Sequence, residues 1–134
     1  MKEYKVTIDI DGIISYYKPG TDILHREVGP AVEWADGTKH WCINGILHRE
    51  DGPAVDCPKG VNSRYMAWFV NGKKHREDGP AVEWDDGTKH WYINGVKLTK
   101  QEFNDRTKVV ELSLEEIAKK FNMNVNNLKI KKLS

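Results

Sequence analysis

Cysteine, net charge and long apolar runs are all scarce in this chain of 134 residues. Two cysteines, Cys42 and Cys57, are too few for a disulfide framework, and they are not expected to pair in a reducing compartment. No apolar stretch approaches the ~18 residues that a membrane span requires. Met1-Lys2-Glu3-Tyr4 carries no charged-then-apolar leader pattern, so a cytoplasmic protein without a membrane span is expected. Lys and Arg number 21 against 20 Asp and Glu, a balance that nominates no partner by net charge alone. Gly-rich phosphate loops, Walker-type lysines, Ser-nucleophile motifs and Cys-x-x-Cys pairs are missing as well. What remains, 39% hydrophobic and 31% charged residues, suits one cooperatively folded body.

The dominant feature present is repetition. His25-Arg26-Glu27-Val28-Gly29-Pro30-Ala31-Val32 recurs as His48-Arg49-Glu50-Asp51-Gly52-Pro53-Ala54-Val55 and as His75-Arg76-Glu77-Asp78-Gly79-Pro80-Ala81-Val82. A second stretch, Trp34 to Gly45, is answered by Trp84 to Gly95, while the middle copy keeps only Trp68-Phe69-Val70-Asn71-Gly72. Spacings of this size mean stacked supersecondary units, each too small to bury its own apolar face.

Turn chemistry identifies the unit. Asn44-Gly45, Asn71-Gly72, Asn94-Gly95, Asp36-Gly37 and Asp86-Gly87 supply the positive φ that tight reversals demand, and the Val-, Ile-, Trp- and Tyr-rich runs between them have strand composition. The predicted fold is therefore mainly β, an antiparallel meander of hairpin repeats. Side-chain alternation assigns Val32, Trp34, Trp41, Ile43, Val55, Trp68, Val70, Val82, Trp84, Trp91 and Ile93 to a buried column. Glu33, His40, Cys42, Asp56, Phe69, Glu83, His90 and Tyr92 fall on the opposite, polar and aromatic face, a candidate contact surface.

The expected organisation has a capping hairpin over residues 1–24, three repeats (25–47, 48–74 and 75–98) and a helical C-terminal cap with a final short strand over 99–134. In the leading segment Asp11-Gly12 occupies the place taken later by Asn-Gly. Thr99-Lys100-Gln101-Glu102 and Ser113-Leu114-Glu115-Glu116 both fit the capping box that opens a helix. The second helix would present Leu114, Ile117, Ala118 and Phe121 as one apolar stripe, and Leu128–Leu133 alternates as an edge strand guarded by Lys.

The run Asp-Gly-Thr-Lys-x-Trp-x-x-Asn-Gly followed by His-Arg-Glu-Asp-Gly-Pro-Ala resembles the MORN and MORN-like hairpin repeats. More narrowly, it is similar to the His-Arg-x-Asp-Gly-Pro-Ala arrays of small accessory proteins of tailed bacteriophages, over about residues 24–98. Val28, in place of Asp, and the longer middle copy depart from the pattern. The resemblance implies an interaction scaffold, and in phages a protein that binds and inhibits or redirects a host factor such as a defence complex, in the host cytoplasm.

His25, His48 and His75 occupy one repeat phase, so neighbours stand two strands, roughly 9–10 Å, apart. One zinc ion with ligands at about 2 Å cannot bridge them, and no metal or cofactor is expected. Glu33 with His40, or Glu83 with His90, could pair as acid and base, but pairs that recur along a ribbon do not make one asymmetric pocket, so an enzyme is not expected. Arg26, Arg49 and Arg76 each have a carboxylate beside them in sequence, which favours internal ion pairs over a phosphate stripe.

The middle-copy insertion Cys57–Met66 breaks the repeat and carries Arg, Tyr and Met, the composition of interface cores. The expected partner-binding residues are Arg64, Tyr65, Met66 and Phe69, with His40, His90 and Tyr92 on the same face. The expected function is non-catalytic binding of a host protein or protein complex. Two alternatives are kept: nucleic-acid binding through residues 96–134, which hold 9 basic and 5 acidic side chains, and a nucleotide-sequestering oligomer. Exposed strand edges also allow a homo-oligomer.

Overall fold

A computed structural model describes residues 3–58, 60, 63–108 and 119 of the chain. It divides into two compact units, Met1–Thr99 and Lys100–Ser134. The fold is mainly β, antiparallel throughout its described pairings.

The strands are β1 (Lys5–Ile8), β2 (Ile14–Tyr17), β3 (Val32–Glu33), β4 (Lys39–His40), β5 (Cys42–Ile43), β6 (Ile46–Leu47), β7 (Val55–Cys57), β8 (Tyr65–Ala67), β9 (Phe69–Val70), β10 (Lys73–Lys74), β11 (Val82–Trp84), β12 (Lys89–Ile93) and β13 (Val96–Leu98). A meandering sheet runs β1-β2-β3-β4-β7-β8-β11-β12-β13, and β5-β6 and β9-β10 form small separate hairpins. In the second unit, helix α1 (Lys100–Lys108) begins directly after Thr99, where the first capping box predicts a start. Its Gln101 amide donates to Asp105 one turn on, at 2.9 Å. The predicted second helix from Ser113 and the strand at Leu128–Leu133 lie outside the described residues, apart from Lys119, which is helical. No described helix is long and apolar enough to cross a membrane.

Two kinds of turn build two kinds of hairpin. Asn44-Gly45 forms a two-residue reversal between the paired Ile43 and Ile46, with φ of 52° and 77°. Asn71-Gly72 and Asn94-Gly95 repeat it. These are the left-handed values that a primed hairpin turn requires. The Asp-Gly reversals are different: Trp34 N–H donates to the Thr38 carbonyl and Gly37, at φ 90°, donates back to Trp34, so the loop has a third residue, Ala35. Asp85-Asp86-Gly87 and Ile10-Asp11-Gly12 close in the same way. Asp11-Gly12 thus matches the Asp-Gly turns, not the Asn-Gly turns as expected.

That extra loop residue corrects the predicted faces. Because Trp34 faces Thr38, Val32 pairs with His40 and Glu33 with Lys39, and directly paired residues share a face. The inner row of the main sheet therefore reads Ser15, Val32, His40, Val55, Ala67, Val82, His90. Val32, Val55 and Val82 are buried as predicted, but His40, Cys42, Phe69, His90 and Tyr92 are on this inner side, not on an outward contact surface. Cys42 is buried, and Leu47 and Phe69 from the small hairpins and Tyr92 from β12 pack against Val55, Ala67 and Val82. Trp41, Trp68 and their neighbours Ile43 and Val70 turn to the outer face. Trp84 is 39% exposed despite its assignment to the buried column.

This core is thin. Its buried members among the described residues of the first unit are alanines, valines and Cys42, and no large side chain among the described residues is fully enclosed. A layer of contacts on the outer face supplements it. Trp41 N–H bonds Ala54 across the main sheet at 2.8 Å while its carbonyl accepts from His48 N–H at 3.0 Å in the small hairpin. Trp68 does the same with Ala81 and His75. Directly opposite each ring, Ala31, Ala54 and Ala81 have no exposed surface, which leaves room above them for a guanidinium. Arg26 lies over Tyr16, Arg49 over Trp41 and Arg76 over Trp68, each with Cζ 3.9 Å from the ring centre. The far side of each guanidinium rests on a glycine.

An added Cβ on Gly52 would stand 2.8 Å from Arg49 Cζ. Gly52→Ala should therefore displace the stacked guanidinium and cost about 1–2 kcal/mol, the worth of one cation–π contact and one hydrogen bond. Gly60→Ala, where a Cβ meets nothing within 4 Å, should change urea unfolding by less than about 0.5 kcal/mol.

Candidate functional site

The repeated motif first explains itself as structure. The Nδ1 atoms of His25, His48 and His75 accept from the N–H of Asn44, Asn71 and Asn94 at 2.9, 3.0 and 2.9 Å. Each imidazole thus holds the Asn-Gly turn of the hairpin that follows it. The proton of the neutral ring then sits on Nε2, 3.7 Å from a carboxylate oxygen of Glu27, Glu50 or Glu77.

The arginines are equally occupied. Their Nη1 atoms donate to the carbonyls of Pro30, Pro53 and Pro80 at 3.2, 3.0 and 3.1 Å. Arg49 and Arg76 also donate from Nε to Asp51 and Asp78 at 2.9 Å. The Arg49 guanidinium holds the Asp51 carboxyl below its ordinary value. Val28 cannot accept such a bond, so among the described residues Arg26 keeps the ring stack and the Pro30 carbonyl; Gly29 has φ 113°.

Between consecutive motifs the outer face is concave. One groove of about 690 Å³ is lined by Trp41, Ile43, His48 and the turns Arg26–Gly29 and Arg49–Asp51. Its equivalent, about 730 Å³, is lined by Trp68, Val70, His75 and the turns Arg49–Gly52 and Arg76–Asp78.

A third concavity arises where the repeat is broken. β7 and β8 pair Cys57 with Tyr65, so residues 58–64 replace the three-residue turn of the other copies. Arg64 C=O accepts from Asp85 N–H of the next copy at 3.1 Å. Tyr65 and Trp84 face each other across β8 and β11, ring centres 4.4 Å apart and planes tilted by 48°. With Cys57, Pro58 and the rim residues Asp36, Thr38, Gly60 and Ser63 they enclose a mainly apolar slot of about 560 Å³. Burial pushes the Tyr65 hydroxyl above its usual pKa. The Thr38 backbone N–H, then its hydroxyl, holds the Asp36 carboxyl below its ordinary range.

The expected contact residues do not share one surface. Tyr65 lines the slot. Arg64 and Met66 lie on the opposite face, with Arg64 Nη2 3.5 Å from Met66 Sδ and 3.8 Å from Asp56 Oδ1. Phe69 and Tyr92 pack inward, and His40 and His90 sit beside Val32, Val55 and Val82 on the core side. Sequence reading missed Trp84, Pro58 and Cys57 in the slot and Trp41 and Trp68 in the grooves. The signal available was the residue count between Trp34 and Thr38, which admits a three-residue loop.

Cys42 and Cys57 are free thiols. Among the described residues no group of His, Cys, Asp and Glu is arranged to hold a metal ion. No protein-family model, curated protein or solved structure matches the chain.

Half-buried His40 stacks edge-on against Trp34 at 4.5 Å, and burial pushes its pKa below the ordinary 6.5. The unfolded chain then binds this proton more readily than the folded one. The stability contributed by neutral His40 is full above pH 6.5 and is lost as pH falls toward the depressed folded value. Between about pH 7 and 5, the thermal midpoint should fall more steeply for wild type than for His40→Gln. Parallel profiles would show that the imidazole pays no burial penalty.

Proposed function

We propose that this chain is a non-catalytic protein-binding module of the MORN-like hairpin-repeat type, serving as a phage accessory protein that engages a host factor. The observation that carries the binding reading is the mainly apolar slot lined by the packed rings of Tyr65 and Trp84 together with Cys57 and Pro58. It lies where the repeat symmetry is broken, and the two contacting aromatic rings form part of its mainly apolar lining. Interfaces concentrate their energy in such pockets, which receive an aromatic or branched apolar anchor from the partner.

The repeated polar residues support the same conclusion. Imidazoles that hold turns and guanidiniums sandwiched between ring and glycine are committed to cohesion. A fold stabilised in this way can present side chains to a partner without remaking itself. The phage setting rests on the motif resemblance.

Affinity capture from host lysate, with wild type and a Tyr65→Ala/Trp84→Ala double variant run side by side, tests the proposal. Mass spectrometry should recover one protein in stoichiometric amount with wild type and lose it with the variant, while far-ultraviolet circular dichroism stays unchanged. Recovery of nucleotide or nucleic acid alone would overturn the reading.

A further inference from the structure

The two outer-face grooves share the turn Arg49-Glu50-Asp51, so one begins where the other ends. We propose that together they form a track for an extended, basic peptide segment of a partner protein, with Lys or Arg at every third position. This deepens the protein-binding reading but does not depend on the Tyr65–Trp84 slot.

Charge is the first argument. The second groove is lined by two arginines against four carboxylates, Glu50, Asp51, Glu77 and Asp78, and the first by two arginines against three. The arginines are engaged within the frame: Arg49 and Arg76 lie over an indole and donate to a proline carbonyl and an aspartate. The carboxylates face solvent, with the side chains of Glu50, Asp51 and Asp78 83%, 87% and 84% exposed. Beneath them Trp41 and Trp68 supply apolar floor. A long basic side chain fits such a site, its stem along the indole and its charged head among the carboxylates.

Spacing is the second. The grooves recur after two strands, about 9–10 Å along the sheet. A polyproline II segment advances about 3.1 Å per residue and completes a turn in three, about 9.3 Å. Residues i and i+3 of such a segment therefore reach successive grooves from the same side. A β-strand, whose same-side residues recur at about 6.6–6.8 Å, falls out of step.

The test uses fluorescent proline-rich peptides carrying arginine at i and i+3, at i and i+2, or once, with fluorescence anisotropy on the full chain. The i, i+3 peptide should bind about tenfold more tightly than either other peptide, as one added charged contact predicts. Binding should weaken with salt. Glu50→Lys, a reversal at the shared turn, should remove the preference while the thermal midpoint is retained. The Tyr65→Ala/Trp84→Ala variant should bind these peptides as wild type does, so failure of the slot and failure of the track read out separately. Equal binding at both spacings, indifference to Glu50→Lys, or tighter binding of a glutamate-substituted peptide would overturn the track.

Discussion

A flat cation held between an aromatic ring and a glycine is the contact on which this molecule turns. Each guanidinium needs a ring beneath it, an alanine across from that ring to leave it space, and a glycine above without a side chain. The ring belongs to one copy and the arginine and glycine to the next, so the arrangement joins copies that could not stand alone. With a core built largely of alanine and valine, the fold leans on such ties more than a larger globule would.

The same logic extends to the ends. Arg26 finds its ring in Tyr16, within a segment whose three-residue Asp11-Gly12 loop matches the later copies. The bridge from Tyr17 to Leu24 stands where Cys42 and Leu47 pair. The leading segment is thus a further copy in geometry although little of the motif survives in its letters.

Much of the architecture was legible in the residues: hairpins, their order, the reversals and the first helix start. Asn-Gly and Asp-Gly declare turns because few other residues accept positive φ. They do not declare loop length, and with a side-chain period of two a single residue exchanges the faces. Ala35 and Asp85, the extra loop residues, carry no turn signal in their chemistry, and alternation counted without them puts Trp41 inside and His40 outside. The expected contact residues divide between the two faces for a related reason: Tyr65 and Met66 are neighbours in sequence and therefore point apart.

Function on this ribbon divides between symmetry and its interruption. Repetition makes a periodic outer surface of indole and carboxylate, while the insertion of the middle copy opens one aromatic slot. Both are available because the histidines and arginines are engaged in holding the frame. The most direct test of that frame is a double-mutant cycle between Arg49 and Trp41, using Arg49→Lys and Trp41→Leu and read by urea unfolding. Stacking across copies predicts a coupling of about 1 kcal/mol. Additive effects, within about 0.3 kcal/mol, would contradict it.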